Sequence, residues 1–241
     1  MKDYAIIYDP RLKRLAINLS HISEEPAYPV GTSVSYERYM VLWSYRTNYS
    51  YERSRLTSIL RELNDTGYVE VLLLLPAPFQ QGGDIAQFME QMSDFDFVGR
   101  IIFFDLTPIS KLGTTPRPSV NLSAIPILTK FLKENGIRSK VITFNPELTT
   151  QAKIVESSIG KSEDSVLIID NYINKPENYL PIISTYKEKN VKVYLFSTFI
   201  NSSPQLLLQY ATVITTNTII WDDVVVLDIS PAIAEFVDAV N

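Results

Sequence analysis

Cysteine is absent from this chain of 241 residues, and histidine occurs once, at position 21. Without cysteine the chain can form no disulfide, no thiolate nucleophile and no cysteine-ligated metal site. A lone histidine likewise gives little support for a Ser–His–Asp triad or for a metal centre built from several histidines. We expect His21 to be an ordinary surface or helix residue.

Glycine is also scarce, with eight residues in the whole chain, which is about half of the usual roughly 7%. The last of them is Gly160, so residues 161–241 contain none. Loops that cradle phosphate use glycine because the backbone must come close to the anion and point its N–H groups inward. A glycine-rich phosphate loop is therefore excluded after position 160.

Excess positive charge and long apolar runs are missing as well. The formal net charge of −5 gives no electrostatic support for binding nucleic acid or an anionic membrane surface. No run of about 18 consecutive apolar residues is present. The first residues do not have the pattern of a signal peptide, so we expect none. We expect a cytoplasmic protein with neither nucleic acid nor membrane as a partner.

A strand–loop–helix–strand unit is the clearest pattern that is present, and it occupies residues 165–198. Residues 166–169 form a continuous apolar run that is typical of a strand buried on both faces. We expect this strand to end in Asp170 and Asn171. Ligands of open α/β sheets bind at the carboxyl ends of strands, so this acidic end marks a candidate site.

The helix of this unit is predicted at residues 179–189, with Asn178 as its N-cap. Asn190 follows at the position of a left-handed C-cap, and a second strand begins at Val191. The loop before the helix contains no glycine. It therefore lacks the feature that phosphate sites usually need.

Hydrophobic periodicity predicts further strands and helices along the chain. The predicted strands are 4–8, 35–42, 68–75, 100–105, 140–144, 212–219 and 224–228, and the predicted helices are 11–22, 54–64, 84–92, 121–136, 205–210 and 230–240. This order indicates an α/β fold. Residues 111–118 are rich in Pro, Thr and Gly and are the candidate boundary between two halves.

Many of these segments resemble ribose-phosphate pyrophosphokinases, the PRPP synthetases. The resemblance is best at residues 121–136 and from Val191 onward, including the Thr-Asn-Thr-Ile sequence at 216–219. It implies two similar phosphoribosyltransferase-type domains, each a mostly parallel sheet flanked by helices. The implied domains are residues 1–117, to which about 224–241 return, and residues 118–223.

The family's catalytic motifs are altered where this chain can be matched to them. Asp170 keeps the first acid of the ribose-phosphate motif, and Asn171 replaces the second. Thr107 stands after Asp105 where the family has a histidine that helps to hold the metal–ATP complex. Glu147 replaces an Asp in a second ribose-phosphate loop, whose glycines are threonines here.

Three loops depart further from the family. Residues 174–178 read Asn-Lys-Pro-Glu-Asn, without the two glycines, and residues 76–83 lack the arginines that bind ATP. Residues 154–161 leave no room for the family's flexible basic catalytic loop. Pyrophosphoryl transfer depends on cations that neutralise phosphate charge, and the surviving carboxylates have the wrong sign.

These departures favour a pseudoenzyme, an inactive PRPP-synthetase-like protein that forms homo-oligomers or assembles with an active homologue. No catalytic residue or cofactor is then expected, and Asp105, Glu147, Asp170 and Asn171 are vestigial. The alternative is a divergent pyrophosphokinase or phosphoribosyltransferase-like enzyme of nucleotide biosynthesis, using Mg²⁺, ATP and ribose 5-phosphate. In that case Asp105 and Asp170 are the candidate metal ligands. A third hypothesis is an unrelated ligand-binding or scaffold module of the same fold class.

Aromatic residues crowd one N-terminal stretch. They are Tyr36, Tyr39, Trp43, Tyr45, Tyr49 and Tyr51. Aromatic side chains dominate cores and interfaces alike, so core packing and a self-association surface both remain open. Because the resemblance implies dimers built from first-half surfaces, we predict that these residues form a partner surface.

Overall fold

Two compact units make up the chain in the computed structural model. The first unit comprises residues 1–122 and 229–241, and the second unit comprises residues 123–228. The structure describes residues 1, 3–44, 49–65, 67, 69–77, 82–106, 117–219 and 221–240.

The first unit contains a sheet of six strands in the order β2-β1-β3-β4-β5-β6, and all of its pairings are parallel. The strands are β1 (Ala5–Tyr8), β2 (Ala27–Pro29), β3 (Arg38–Ser44), β4 (Glu70–Ala77), β5 (Val98–Phe104) and β6 (Ser119–Leu122). Both faces of the central strands are buried, which explains why β4 reads as a nearly continuous apolar run.

Four α-helices accompany this sheet within the described residues. They are α1 (Lys13–Ser23), which follows a 3-10 turn at Pro10–Leu12, α2 (Tyr49–Asp65), α3 (Gly82–Met92) and α8 (Ser230–Val240). Leucines of α2 and Phe88 of α3 share one core with alternate residues of β3, β4 and β5. Helix α8 packs against α1, so the end of the chain completes the first unit.

The second unit contains a sheet of five parallel strands in the order β11-β10-β9-β8-β7. The strands are β7 (Lys140–Ile142), β8 (Ser165–Ile173), β9 (Lys192–Ile200), β10 (Thr212–Thr216) and β11 (Val225–Leu227). The helices are α4 (Ile125–Glu134), α5 (Thr149–Ile159), α6 (Leu180–Glu188) and α7 (Gln205–Leu208), with 3-10 turns at Pro146–Leu148 and Pro176–Tyr179.

The predicted α/β architecture with two mostly parallel sheets is confirmed. Residues 166–169 are buried on both faces of β8, as their apolar run predicts. Asn190 has a φ of 56°, so the predicted left-handed position is also confirmed. His21 is an exposed residue of α1.

Strand β8 is longer than predicted and runs through Asp170 and Asn171 to Ile173. The sequence predicts an end at these two residues because acids and amides are depleted in strands. The ladder continues because β9 is equally extended. Tyr172 pairs with Phe199 and Ile173 with Ile200.

Helix starts also differ from the predictions, and three of the differences bear on local sequence signals. Helix α2 begins at Tyr49 rather than at residue 54, and residues 121 and 122 belong to β6 rather than to a helix. Asn178 does not cap α6, because it lies inside the 3-10 turn that leads into this helix. The 3-10 turn satisfies early backbone groups with i to i+3 hydrogen bonds, without an Asn side chain.

The aromatic stretch is not a continuous surface. Tyr39 and Trp43 are both 0% exposed and belong to the core of the first unit, so their predicted place in a partner surface is wrong. Tyr39 and Trp43 lie on the same face of β3, the face that α2 covers. Tyr36 and Tyr51 are exposed.

Several predictions concern residues outside the described part of the chain. They are Thr107, the side chains of Tyr45 and Tyr49, residues 78–81 and most of the boundary segment 111–118. Within the residues that the structure describes, no helix has both the length and the apolarity to cross a membrane.

Candidate functional site

Because all five strands of the second unit are parallel, their carboxyl ends meet at one edge of the sheet. This edge brings together Asp170 and Asn171 of β8 with Asn145, which follows β7. It is the place where ligands of open α/β sheets bind. We therefore describe it as the candidate functional site.

Both carboxylate oxygens of Asp170 accept hydrogen bonds from within the second unit. The hydroxyl of Tyr179 donates to Oδ2 at 2.5 Å, while the backbone N–H groups of Asn171 and Tyr172 lie 2.8 and 3.4 Å from Oδ1. Burial raises the pKa of Tyr179 above its ordinary value, and the negative charge of Asp170 raises it further. The phenol therefore stays protonated and acts as the donor.

The 3-10 turn Pro176–Tyr179 positions this tyrosine. Pro176 is buried and anchors the start of the turn, and Glu177 projects into solvent. The ring of Tyr179 also meets the ring of Phe144 edge to face, with centroids 6.2 Å apart. The loop that follows β8 thus contains a short 3-10 turn held by a buried proline and by the contacts of Tyr179.

Asn145 joins two of the residues that the sequence singles out. Its Nδ2 donates to Oδ1 of Asn171 at 3.2 Å, and its Oδ1 accepts from the backbone N–H of Glu147 at 3.1 Å. Asn145 is therefore the cap of the turn Pro146–Leu148 and, at the same time, a clamp on Asn171. The side chain of Glu147 itself is exposed.

Threonine hydroxyl groups lie at the neighbouring strand ends, and they were not among the predicted site residues. The hydroxyls of Thr216 and Thr218 donate to the backbone carbonyl of Thr198 at 2.8 and 3.0 Å. Nδ2 of Asn217 donates to Oδ1 of Asp228 at 2.6 Å. The Thr-Asn-Thr sequence is the signal that could have indicated them.

Asp105 belongs to the first unit, whereas the other three acidic and amide candidates belong to the second unit. It follows β5 with a φ of 48°, and its backbone N–H donates to the carbonyl of Leu122 at 2.8 Å. The next residue, Leu106, exchanges two hydrogen bonds with the side chain of Asn121, at 2.8 and 2.9 Å. These bonds hold Asp105 and Leu106 against the end of β6.

A buried ion cluster at the carboxyl ends of β1 and β3 was not predicted. The guanidinium of Arg11 donates to Oε1 and Oε2 of Glu52 at 2.6 and 2.9 Å and to both carboxylate oxygens of Asp9. It also donates to the backbone carbonyl of Ser44 at 3.0 Å. Asp9 and Glu52 are almost completely buried.

Burial alone would lower the pKa of Arg11, but its hydrogen bonds to Asp9 and Glu52 outweigh burial and raise the pKa. Arg11 is therefore a permanent cation that balances one of the two carboxylates. The strand order reverses its direction between β1 and β3, so this cluster fills the topological switch point of the first sheet. The Asp-Pro-Arg sequence directly after β1 is the one local sequence feature that could have indicated this cluster.

No group of three or more histidine, aspartate or glutamate side chains suited to a metal ion occurs among the described residues. Neither Asp105 nor Asp170, the candidate metal ligands, therefore belongs to such a group within that part of the chain. A divalent cation usually draws on several oxygen ligands.

The fold is similar to that of a known enzyme. The crystal structure of phosphoribosylpyrophosphate synthetase from Mycobacterium smegmatis matches this chain with a TM-score of 0.81 and 16% sequence identity. The match covers 98% of each chain. No protein-family model and no curated protein matches the sequence. The likeness shows a PRPP-synthetase-like fold of the phosphoribosyltransferase type, as predicted.

Proposed function

We propose that this PRPP-synthetase-like protein is catalytically inactive and acts through assembly, with copies of itself or with an active homologue. The main support for the proposal is that the carboxylate of Asp170 is already hydrogen-bonded within the protein. Its two oxygens accept hydrogen bonds from Tyr179 and from two backbone N–H groups. In the resembled family, the corresponding strand end binds ribose phosphate.

The charges around this strand end support the same conclusion. A phosphoryl group needs cations or inward-pointing N–H groups to balance its charge. In the loop after β8, Pro176 has no N–H to offer, and Glu177 adds a negative charge. Asn145, which could otherwise donate to a ligand, donates to Asn171.

An activity assay tests the proposal. Purified protein is incubated with ATP, Mg²⁺ and ribose 5-phosphate, and AMP release is compared with a no-protein control and with an active PRPP synthetase. We expect no AMP above the control. The matched variant Asp170→Asn, which removes the charge and keeps the shape, should give the same result.

Turnover by the wild-type protein that Asp170→Asn abolishes would contradict the proposal. It would support instead a divergent enzyme that uses Asp170 as a catalytic or metal-binding residue. A co-purification assay with an active homologue tests the assembly part separately, because it does not depend on turnover.

A further inference from the structure

A polar groove lies at the surface of the first unit, between α2 on one side and α3 with the turn that follows it on the other. Its volume is about 980 Å³, and each of the residues that line it has a polar or charged side chain. Ligand-binding pockets span roughly 300–1,000 Å³. The groove is therefore large enough for a small ligand, and its lining suits one that forms many hydrogen bonds.

The two helices are joined at the groove by a hydrogen bond between their side chains. Nε2 of Gln91 on α3 donates to Oγ1 of Thr57 on α2, and both residues are half-buried. The apolar residues of α2 face the sheet instead, where Leu56, Leu60 and Leu63 belong to the core. The walls of the groove are therefore held by a packed core beneath them and by a direct bond between them.

Four of the lining residues carry hydroxyl groups, and each hydroxyl donates its only proton within the protein. The hydroxyls of Ser54, Thr57 and Ser58 donate to the backbone carbonyls four residues earlier in α2, at 2.9, 2.9 and 3.1 Å. The hydroxyl of Ser93 donates to the carbonyl of Glu90 at 2.5 Å. A hydroxyl whose proton is already donated offers only lone pairs. These four groups are therefore acceptors towards the groove, and a bound ligand must supply N–H or O–H donors.

Charged side chains of both signs complete the lining. Arg53 and Arg61 of α2 contribute two positive charges, and Glu90 and Asp94 contribute two negative charges, so the formal charge of the lining is zero. Arg61, Glu90 and Asp94 are exposed. A phosphate group in the groove would be repelled by the carboxylates, and a polyamine would be repelled by the arginines. The charges therefore favour a neutral ligand.

We propose that this groove binds a neutral polyhydroxylated ligand, namely a mono- or oligosaccharide. A sugar hydroxyl both donates and accepts hydrogen bonds. Its proton can be donated to the acceptor-only hydroxyls and to the carboxylates of the groove, and its oxygen can accept from the guanidinium groups. The proposal goes beyond the proposed function and does not depend on it.

Saturation-transfer difference NMR with the full chain tests the proposal, and the probes are glucose, N-acetylglucosamine and maltotriose. Water competes for every hydrogen bond in an exposed groove, so each bond contributes only a small net free energy. We expect at least one of the three sugars to bind, with a dissociation constant of about 1 mM. Inorganic phosphate and spermidine, each of which carries charge of one sign, should not compete with the sugar.

Two groove variants that change the charge in opposite directions distinguish a neutral ligand from a charged one. Asp94→Ala removes an acceptor, and Arg61→Ala removes donors. Each should raise the dissociation constant of the sugar about fivefold, which is the effect of one lost hydrogen bond. Glu62→Ala should leave it unchanged and is the matched control, because Glu62 is an exposed residue of α2 that does not line the groove. Circular dichroism confirms that each variant is folded.

Three results would overturn the proposal. The first is failure of all three sugars to bind at about 20 mM, well above the expected dissociation constant. The second is sugar binding that Asp94→Ala and Arg61→Ala leave unchanged, or that Glu62→Ala weakens equally. The third is phosphate binding that Arg61→Ala weakens and Asp94→Ala strengthens, which would show an anion site instead. None of these results affects the tests of catalytic inactivity or of assembly.

Discussion

The hydroxyl of Tyr179 lies 2.5 Å from Oδ2 of Asp170 and donates a hydrogen bond to it. The two residues are nine positions apart, and the 3-10 turn Pro176–Tyr179 brings them together. This strand end could serve as a ligand site, but the contact ties the carboxylate of Asp170 to the protein itself. The contribution of this hydrogen bond to stability can be measured.

Replacing Tyr179 with phenylalanine removes the hydroxyl and keeps the ring that packs on Phe144. A hydrogen bond to a charged group contributes about 1.5–3 kcal/mol, and Asp170 keeps its two backbone donors and some water. We expect Tyr179→Phe to lower the free energy of unfolding by about 1.5 kcal/mol. Urea denaturation of the wild type and the variant measures this change in the free energy of unfolding. Tyr186→Phe is the control and should change stability by less than about 0.5 kcal/mol.

The same contact predicts how stability depends on alkaline pH. Burial and the charge of Asp170 raise the pKa of Tyr179 above its ordinary value of 10.0. Above pH 10 the unfolded tyrosine loses its proton while the folded one keeps it, so rising pH favours unfolding. This contribution is complete below pH 10 and is lost as pH rises toward the folded pKa.

Stability measured between pH 9 and pH 11 should therefore fall more steeply for the wild type than for Tyr179→Phe. One proton changes the slope by at most about 1.4 kcal/mol per pH unit. Identical slopes for the two proteins would show that Tyr179 titrates normally in the folded state.

Arg11 is expected to be critical for the stability of the first unit. Arg11→Met removes the cation and leaves the buried carboxylates of Asp9 and Glu52 without it. Breaking a buried pair costs about 3–5 kcal/mol, and we expect about 3 kcal/mol because the guanidinium is partly exposed. Arg14→Met, at an exposed position of α1, is the control. Equal stability of the two variants would contradict a structural role for the cluster.

Asn145 should act mainly as an acceptor for the turn Pro146–Leu148. Asn145→Ala loses the cap and the bond to Asn171, and we expect a loss of about 1–2 kcal/mol. Asn145→Asp keeps an acceptor for the N–H of Glu147 and should cost less than the alanine variant. Thermal denaturation of the two variants shows which of them is less stable. A less stable Asn145→Asp variant would contradict the capping role.

Local patterns were sufficient to predict much of the scaffold. The buried run at residues 166–169 and the left-handed Asn190 follow from hydrophobicity and backbone preference, which act over a few residues. The predicted end of β8 was wrong because the last residues of this strand are held by pairing with Phe199 and Ile200. These partners belong to a different strand.

The site was less predictable for the same reason. Arg11 and Glu52 are separated by 41 positions, and nothing near either residue indicates the other. Asp170 was identified from its place after an apolar run, but its donor Tyr179 depends on the geometry of an intervening 3-10 turn. Sequence patterns located the segment that carries Asp170, and only the fold identifies the groups that bind it.

Helix α8 returns from the end of the chain to pack on α1, and the amino group of Met1 pairs with Asp238. The first unit is therefore discontinuous, whereas residues 123–228 form the second unit without interruption. During synthesis, the residues of the second unit are all made before those of α8. The first unit, whose synthesis begins first, is therefore completed only when α8 has been made, and until then the surface of α1 that α8 covers stays exposed.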